Sequence, residues 1–325
     1  MFRLLPLLTL AALHAQDTRQ VSEPKYPPVC EALTARYDAP RGVLSDAAER
    51  APDTDRIQRA IDTCGAGKAV ELKPSGARNI FLAGPLLLKP GVTLIVDART
   101  AIFASRNPRE YDVQPGSCGI VGDRGPGCKP LITADRAPGS GIMGEGAIDG
   151  RGGAKLIGLD KSWWDLAKEA KVFDKYQAVT RLLVVRQSDN FTLYKITLRN
   201  SPNFHVSVNN TNGFTAWGVK IKTPKTARNT DGIDPSSSTN VTIRDCDIDT
   251  GDDDVAIKSG PGGPSSNITI EHNRFYNGHG MSIGSNTDGG VSHVRVSDLS
   301  IDGADKRHSH QERSQPRRAG GGRGV

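Results

Sequence analysis

From about residue 189 the chain alternates short apolar phrases with turns rich in Asn, Gly and Asp: NFTLYKITL, GFTAWGVKI, NVTIRDCDI, NITIEHNRF and HVRVSDLSI. With Phe191, Phe214, Val241, Ile268 and Val294 at equivalent positions, the successive steps are 23, 27, 27 and 26 residues. Alternation within each phrase is the period-two pattern of strands, and a near-constant step of this length is the pattern of a solenoid. Each coil has room for about three short strands and none for a helix pair. The pattern predicts an all-β fold, a right-handed parallel β-helix. Earlier segments, AVELKPSG, PLLLKPGVTLIV, PLITADR and GSGIMGEGAIDG, follow it less regularly. One stretch breaks it. In DTDRIQRAIDTCG, Asp53 stands at a cap position, Ile57, Ala60 and Ile61 form one apolar stripe, and Gly65 ends the run. A short N-terminal helix there would cap the open end of the solenoid and protect its first coil.

The chain opens MFRLLPLLTLAALHAQ, with Arg3, an apolar run from Leu4 to Leu13 and a small residue at Ala15. This reads as a signal peptide spanning residues 1–15, so the expected location is secreted, extracellular or periplasmic. Export makes disulfides the expected state of the five cysteines. Cys118 and Cys128 flank a Gly/Pro-rich loop, Cys30 and Cys64 form a plausible second pair, and Cys246 is left over. The spacings match no zinc motif, and no metal is expected. Asn190, Asn209, Asn240 and Asn267 open Asn-X-Thr triplets, but three of them fall at the repeat phase, which favours turn chemistry over glycan attachment.

The formal net charge of +6 is concentrated at one end. From Lys306 onward six Lys/Arg accompany one acid, Glu312, giving +5 and leaving about +1 for the body. The body has no basic stripe for nucleic acid and no apolar run long enough for a bilayer. A monomer without nucleic-acid or membrane partners is expected.

The chemistry lies in three phrases at coil spacing: NTDGID, GDDDVAI and GHGMSI. Ile233, Val255 and Met281 each begin an inward-pointing alternation, and two residues before them stand Asp231, Asp253 and His279. The separations, 22 and 26 residues, are about one coil each, so the three side chains should stack at one edge of the helix. Asp252 joins them if Gly251 permits a bend. Crowded carboxyls raise one another's pKa, and two carboxyls with divergent pKa values are what glycosidic hydrolysis uses. Asp254 shares strand parity with Ala256 and Lys258 and reads as a rim residue paired with Lys258.

These three blocks, with RNSPNFHV, TPKTARNTDGID and GEGAIDGRG, resemble the polygalacturonases, glycoside hydrolase family 28, and their bacterial endo-acting members most. The resemblance covers roughly residues 50 to 303. It implies an inverting, metal-independent hydrolase of α-1,4-linked galacturonan in pectin or polygalacturonate, with no cofactor. It implies Asp252 as general acid, Asp231 and Asp253 together as activators of water, and His279 as the group that tunes the acid. Asn229 would support Asp231, and Asn229 and Lys258 complete the substrate-binding set. On this reading residues 16–303 are one catalytic β-helix domain.

The chain departs from the family pattern in two places. Asp254 stands where the family often has Cys or Asn, and the family's Arg-Ile-Lys block, one coil after GHG, is absent. Residues 304–325 read as a basic low-complexity tail. An allowed codon choice for residues 307–318, read one base out of frame, encodes NGIRIKSDRSRG, so the tail is expected to be a frameshift product. The competing readings are an inactive truncated β-helix that at most binds pectic polysaccharide, and an exo-acting enzyme. A calcium-dependent lyase would share the solenoid but has no use for the GHG block.

Overall fold

The computed structural model describes residues 16–304 and the backbone of 308–310. The signal-peptide segment and most of the basic tail lie outside the described residues.

The chain winds into a parallel β-helix with three strands per coil. Two of its faces form one 15-stranded sheet, joined where the strand Ser265–Asn277 runs unbroken from one face to the other. The third face is an eight-stranded sheet. All strand pairs in these two sheets are parallel; among the described residues the one antiparallel strand pair is Ile120–Gly122 with Tyr176–Ala178, in an excursion off the helix.

The repeat positions are in register as the sequence predicts: Phe191 pairs with Phe214, Phe214 with Val241, Val241 with Ile268 and Ile268 with Val294. Their side chains enter a continuous core that runs from Leu33 to Met281, and the Phe191 and Phe214 rings stack with centroids 6.2 Å apart. Asn190, Asn240 and Asn267 all take left-handed backbone at the turns, with φ of 57°, 55° and 57°. Asparagine is one of the few residues that visits this region readily, so the repeated Asn serves the bend between faces.

The helix Thr54–Thr63 forms where expected, and Ile57, Ala60 and Ile61 seal the first coils. Asp53 is not a conventional cap; its carboxylate takes Arg56 and the Leu82 N–H instead. A second helix of equal length, Trp163–Val172, corrects the expectation of a single helix. It is fixed by a reciprocal cap between Ser162 and Asp165 and buries Trp163 against Tyr111. Both expected disulfides, Cys30–Cys64 and Cys118–Cys128, are present, and Cys246 is free and buried.

Residues 16–28 cross the outside of the large sheet. The buried Asp17 carboxylate accepts from Thr242 Oγ1 at 2.8 Å and from Arg19 at 2.7 Å, while its N–H donates to Thr269 Oγ1. Further along, Tyr194 donates to Glu23 and Tyr26 packs on the Tyr194 ring. Of the basic tail, the backbone of 308–310 adds a short strand beside Met281–Ile283. Among the described residues no helix is long and apolar enough to cross a membrane.

Candidate active site

The eight-stranded sheet aligns Val206, Ile233, Val255 and Met281 across four successive coils. Position −2 from each anchor therefore forms a row: Phe204, Asp231, Asp253 and His279. Neighbouring members are about 4.8 Å apart, the spacing of adjacent strands. The backbone ties this edge together: the Gly232 N–H donates to the Asp253 carbonyl at 2.9 Å and the His279 N–H to the Asp252 carbonyl at 2.9 Å.

Asp252 reaches the same cleft because the chain bends sharply before it. A Cβ on Gly251 would sit 2.1 Å from the Ala227 carbonyl oxygen, so only glycine permits this close approach to the loop at 224–227. Gly278, at φ 53°, is constrained in the same way: a Cβ there would lie 2.4 Å from the Asp252 carbonyl oxygen.

Asp231, Asp252 and Asp253 line one cleft of about 440 Å³, with His279 against the last two. His279 Nδ1 lies 3.2 Å from Asp252 Oδ1 and 3.4 Å from Asp253 Oδ1. Ser282 donates to Asp253 Oδ2 at 2.6 Å, while Asp253 Oδ1 is buried with no hydrogen-bond partner. Asp252 is the more open carboxylate, its side chain 22% exposed, and it accepts from the Asp253 N–H. Asn229 donates its backbone N–H, held by a φ of 55°, to Asp252 Oδ2 at 3.3 Å, so it contacts Asp252 where Asp231 was expected. Lys258 lines the cleft, but its ammonium is bound by Asp231 at 3.2 Å and Asp234 at 2.5 Å.

Burial raises the pKa of Asp231 well above the usual carboxylate range, helped by the neighbouring Asp234 and opposed by Lys258. Asp234 is raised too, first by burial, with Lys258 opposing. Burial works against the Lys258 charge, but Asp234 and Asp231 outweigh it and hold the ammonium protonated.

The rim position expected for Asp254 is wrong. Asp254 is fully buried; its Oδ1 lies 3.1 Å from Thr250 Oγ1, and its Oδ2 accepts the Gly280 N–H at 3.2 Å. Burial pushes its carboxyl up to about 9. Strand parity misplaces it because the regular strand starts only at Val255. Ala256, also expected to face out, is buried.

Two residues at the site were missed from sequence. Asp234 shares Lys258 with Asp231, and it was legible as the second acid of NTDGID. His205 is buried under Asp231, with Nδ1 3.0 Å from the Asp231 carbonyl and Nε2 2.7 Å from Thr223 Oγ1. Burial lowers its pKa to about 4, so it is a neutral brace at pH 7. No pattern in RNSPNFHV distinguishes it from an ordinary core histidine.

Comparison with known proteins agrees with this geometry. The profile described as glycosyl hydrolases family 28 matches residues 113–307. An endo-polygalacturonase of Pectobacterium carotovorum is 48% identical over 294 residues, which span 90% of this chain and 69% of that protein. A polygalacturonase of Ralstonia nicotianae is 42% identical over 326 residues, 88% of this chain and 61% of its own length. Among solved structures, the polygalacturonase from Erwinia carotovora superposes with a TM-score of 0.84 at 45% identity, covering 91% of this chain and 75% of that one.

Proposed function

Because the chain belongs to glycosyl hydrolases family 28, we propose that it hydrolyses α-1,4-galacturonosyl linkages in pectin or polygalacturonate, cutting within the polymer. The observation that carries this is the alignment of Asp231, Asp253 and His279 at one position of three paired strands, with Asp252 bent into the same cleft.

In this reading Asp252, the more open carboxyl, gives its proton to the leaving glycosidic oxygen, so the C–O bond breaks without expelling a bare alkoxide. His279, 3.2 Å away, holds and tunes it. Asp253, which lines the cleft and is held by Ser282, is placed to accept a proton from water. Asp231 shares that task, and its raised pKa makes its ionised form the stronger base. Water then attacks from the opposite side with inversion. Asn229 orients Asp252 through its backbone, and Lys258 keeps Asp231 and Asp234 together in the cleft floor.

The resemblance to endo-polygalacturonases supports internal cleavage. Export, with cleavage after Ala15, is supported by two disulfides in the mature region. Residues 16–303 act as one β-helix unit, supported by a core that is continuous from Leu33 to Met281.

The test is incubation with de-esterified polygalacturonate, with and without EDTA. Reducing ends should appear equally in both, without an unsaturated product, and viscosity should collapse before many ends are released. Loss of activity on chelation, or an unsaturated product, would indicate lyase chemistry and overturn the proposal; a slow viscosity fall would instead indicate action at chain ends.

A further inference from the structure

The row that carries the catalytic candidates continues beyond them. Leu183 pairs with Val206, and two residues before Leu183 stands Arg181. Arg181 therefore occupies the same row as Phe204, Asp231, Asp253 and His279, two coils before Asp231, or about 10 Å along the cleft. It lines the same cleft as the carboxylates.

Its surroundings differ from those of Lys258, the other cation there. Lys258 is bound by Asp231 and Asp234. Arg181 has no ion-paired carboxylate among the described residues; its one side-chain hydrogen bond is to Ser207 Oγ, at 3.5 Å. The guanidinium lies over the Phe204 ring, 4.8 Å from its centroid, and Lys258 Nζ lies over that ring at 4.9 Å. An aromatic face holds a guanidinium in place without consuming its N–H donors, so most of the five stay available to a ligand. The cleft is also lined by Asp231, Asp234, Asp252 and Asp253. A polyanion entering such a cleft needs a cation that is not tied into an ion pair; Arg181 lowers the Asp234 pKa through space but pairs with no carboxylate among the described residues, so it is placed to be that cation.

We propose that Arg181, seated on Phe204, is a binding subsite for the carboxylate of a uronate unit lying about two coils from Asp231. The proposal rests on the hydrolase reading above for the identity of the polymer. The planar fork of the guanidinium matches a carboxylate in a two-pronged hydrogen-bonded pair, which a methyl ester cannot form with full charge. Arg181 is thus a specificity-determining residue: it selects de-esterified stretches at a distance from the bond that is cut.

The test is calorimetric titration in an Asp252→Asn background, which keeps the probe intact, using galacturonate hexamer and its methyl ester. Arg181→Gln should weaken hexamer binding about tenfold or more, in line with loss of a charged hydrogen-bonded pair, and change ester binding less than twofold. Arg181→Lys should fall between, and it serves as the folded control should the Gln variant lose its thermal transition. Equal effects on both probes, or no effect on either, would overturn the subsite. Reducing-end release is scored separately on the chain with Asp252 intact. If the hexamer binds through Arg181 but is never cleaved, the hydrolase reading fails and the subsite stands. If it is cleaved while Arg181→Gln binds both probes unchanged, the subsite fails and the hydrolase reading stands.

Discussion

Thr250 carries a single hydroxyl proton, yet its Oγ1 lies 2.8 Å from the Asp252 carbonyl and 3.1 Å from Asp254 Oδ1. The carbonyl can only accept, so the hydroxyl donates to it, and the contact with Asp254 is satisfied only if Asp254 supplies a proton of its own. A neutral carboxylic acid does this, consistent with burial pushing Asp254 to about 9, and with Asp249 and Asp253 nearby adding to the rise. An asparagine fits the same place: its carbonyl accepts from Gly280 and its amide donates to Thr250. The linkage follows in sign. Between about pH 4 and pH 9 the unfolded chain has lost this proton and the folded chain keeps it, so native stability falls as pH rises. Asp254→Asn should therefore be little changed in stability at pH 4 and clearly more stable than the parent at pH 8, measured by denaturant midpoints. A pH-independent difference would show that Asp254 is ionised in the folded state. Its activity should stay within about tenfold of the parent, whereas Asp252→Asn should lose at least about 10²-fold in kcat with its fold intact, the scale of a general acid. Equal losses in the two variants would mean that the proton donor has been assigned to the wrong carboxyl.

At the level of strands and turns, the parts legible in the sequence were those repeated once per coil. Phe191, Phe214, Val241, Ile268 and Val294 pair as their spacing predicts, because a buried row tolerates no slip: moving one residue turns the apolar face outward. The same register located Asp231, Asp253 and His279. What failed was parity outside regular strands, as at Asp254, and insertions that obey no coil period, as at Trp163–Val172. The polar strap of residues 16–28 carries no pattern at all, since its partners are side chains on strands far away in sequence. Asp17 is its main anchor, buried and bonded to Arg19 and Thr242. Asp17→Ala leaves Thr242 without its acceptor in a buried setting, so a loss of about 1–3 kcal/mol is expected. Calorimetry should show the melting temperature lowered by several degrees. An unchanged value would mean that the strap is dispensable to the coils beneath it.

Across the whole molecule, stability should be graded along the solenoid axis, because each coil is held mainly by its two neighbours. At the N-terminal end the helix Thr54–Thr63 buries Ile57 and Ile61 in the core, and Cys30–Cys64 ties the first strand to the end of that helix. At the other end the strand Val291–Asp302 pairs along its length with Ser265–Asn277, but its Val294, Val296, Leu299 and Ile301 are only partly buried. The strand it covers keeps Ile268, Ile270 and Phe275 fully buried. Local opening takes least free energy where few buried apolar contacts are lost, so amides of 291–302 should exchange well before those of 265–277. The strand Lys68–Lys73, which packs on that helix, and its neighbour Val92–Val96 should exchange last with the middle coils. Hydrogen-exchange mass spectrometry resolves peptides of this length. Equal protection of 291–302 and 265–277 would show that residues beyond 304 cover that face and that the stack is closed at both ends, whereas a gradient rising from the C-terminal coil inward would locate the first step of unfolding next to the coil that carries His279.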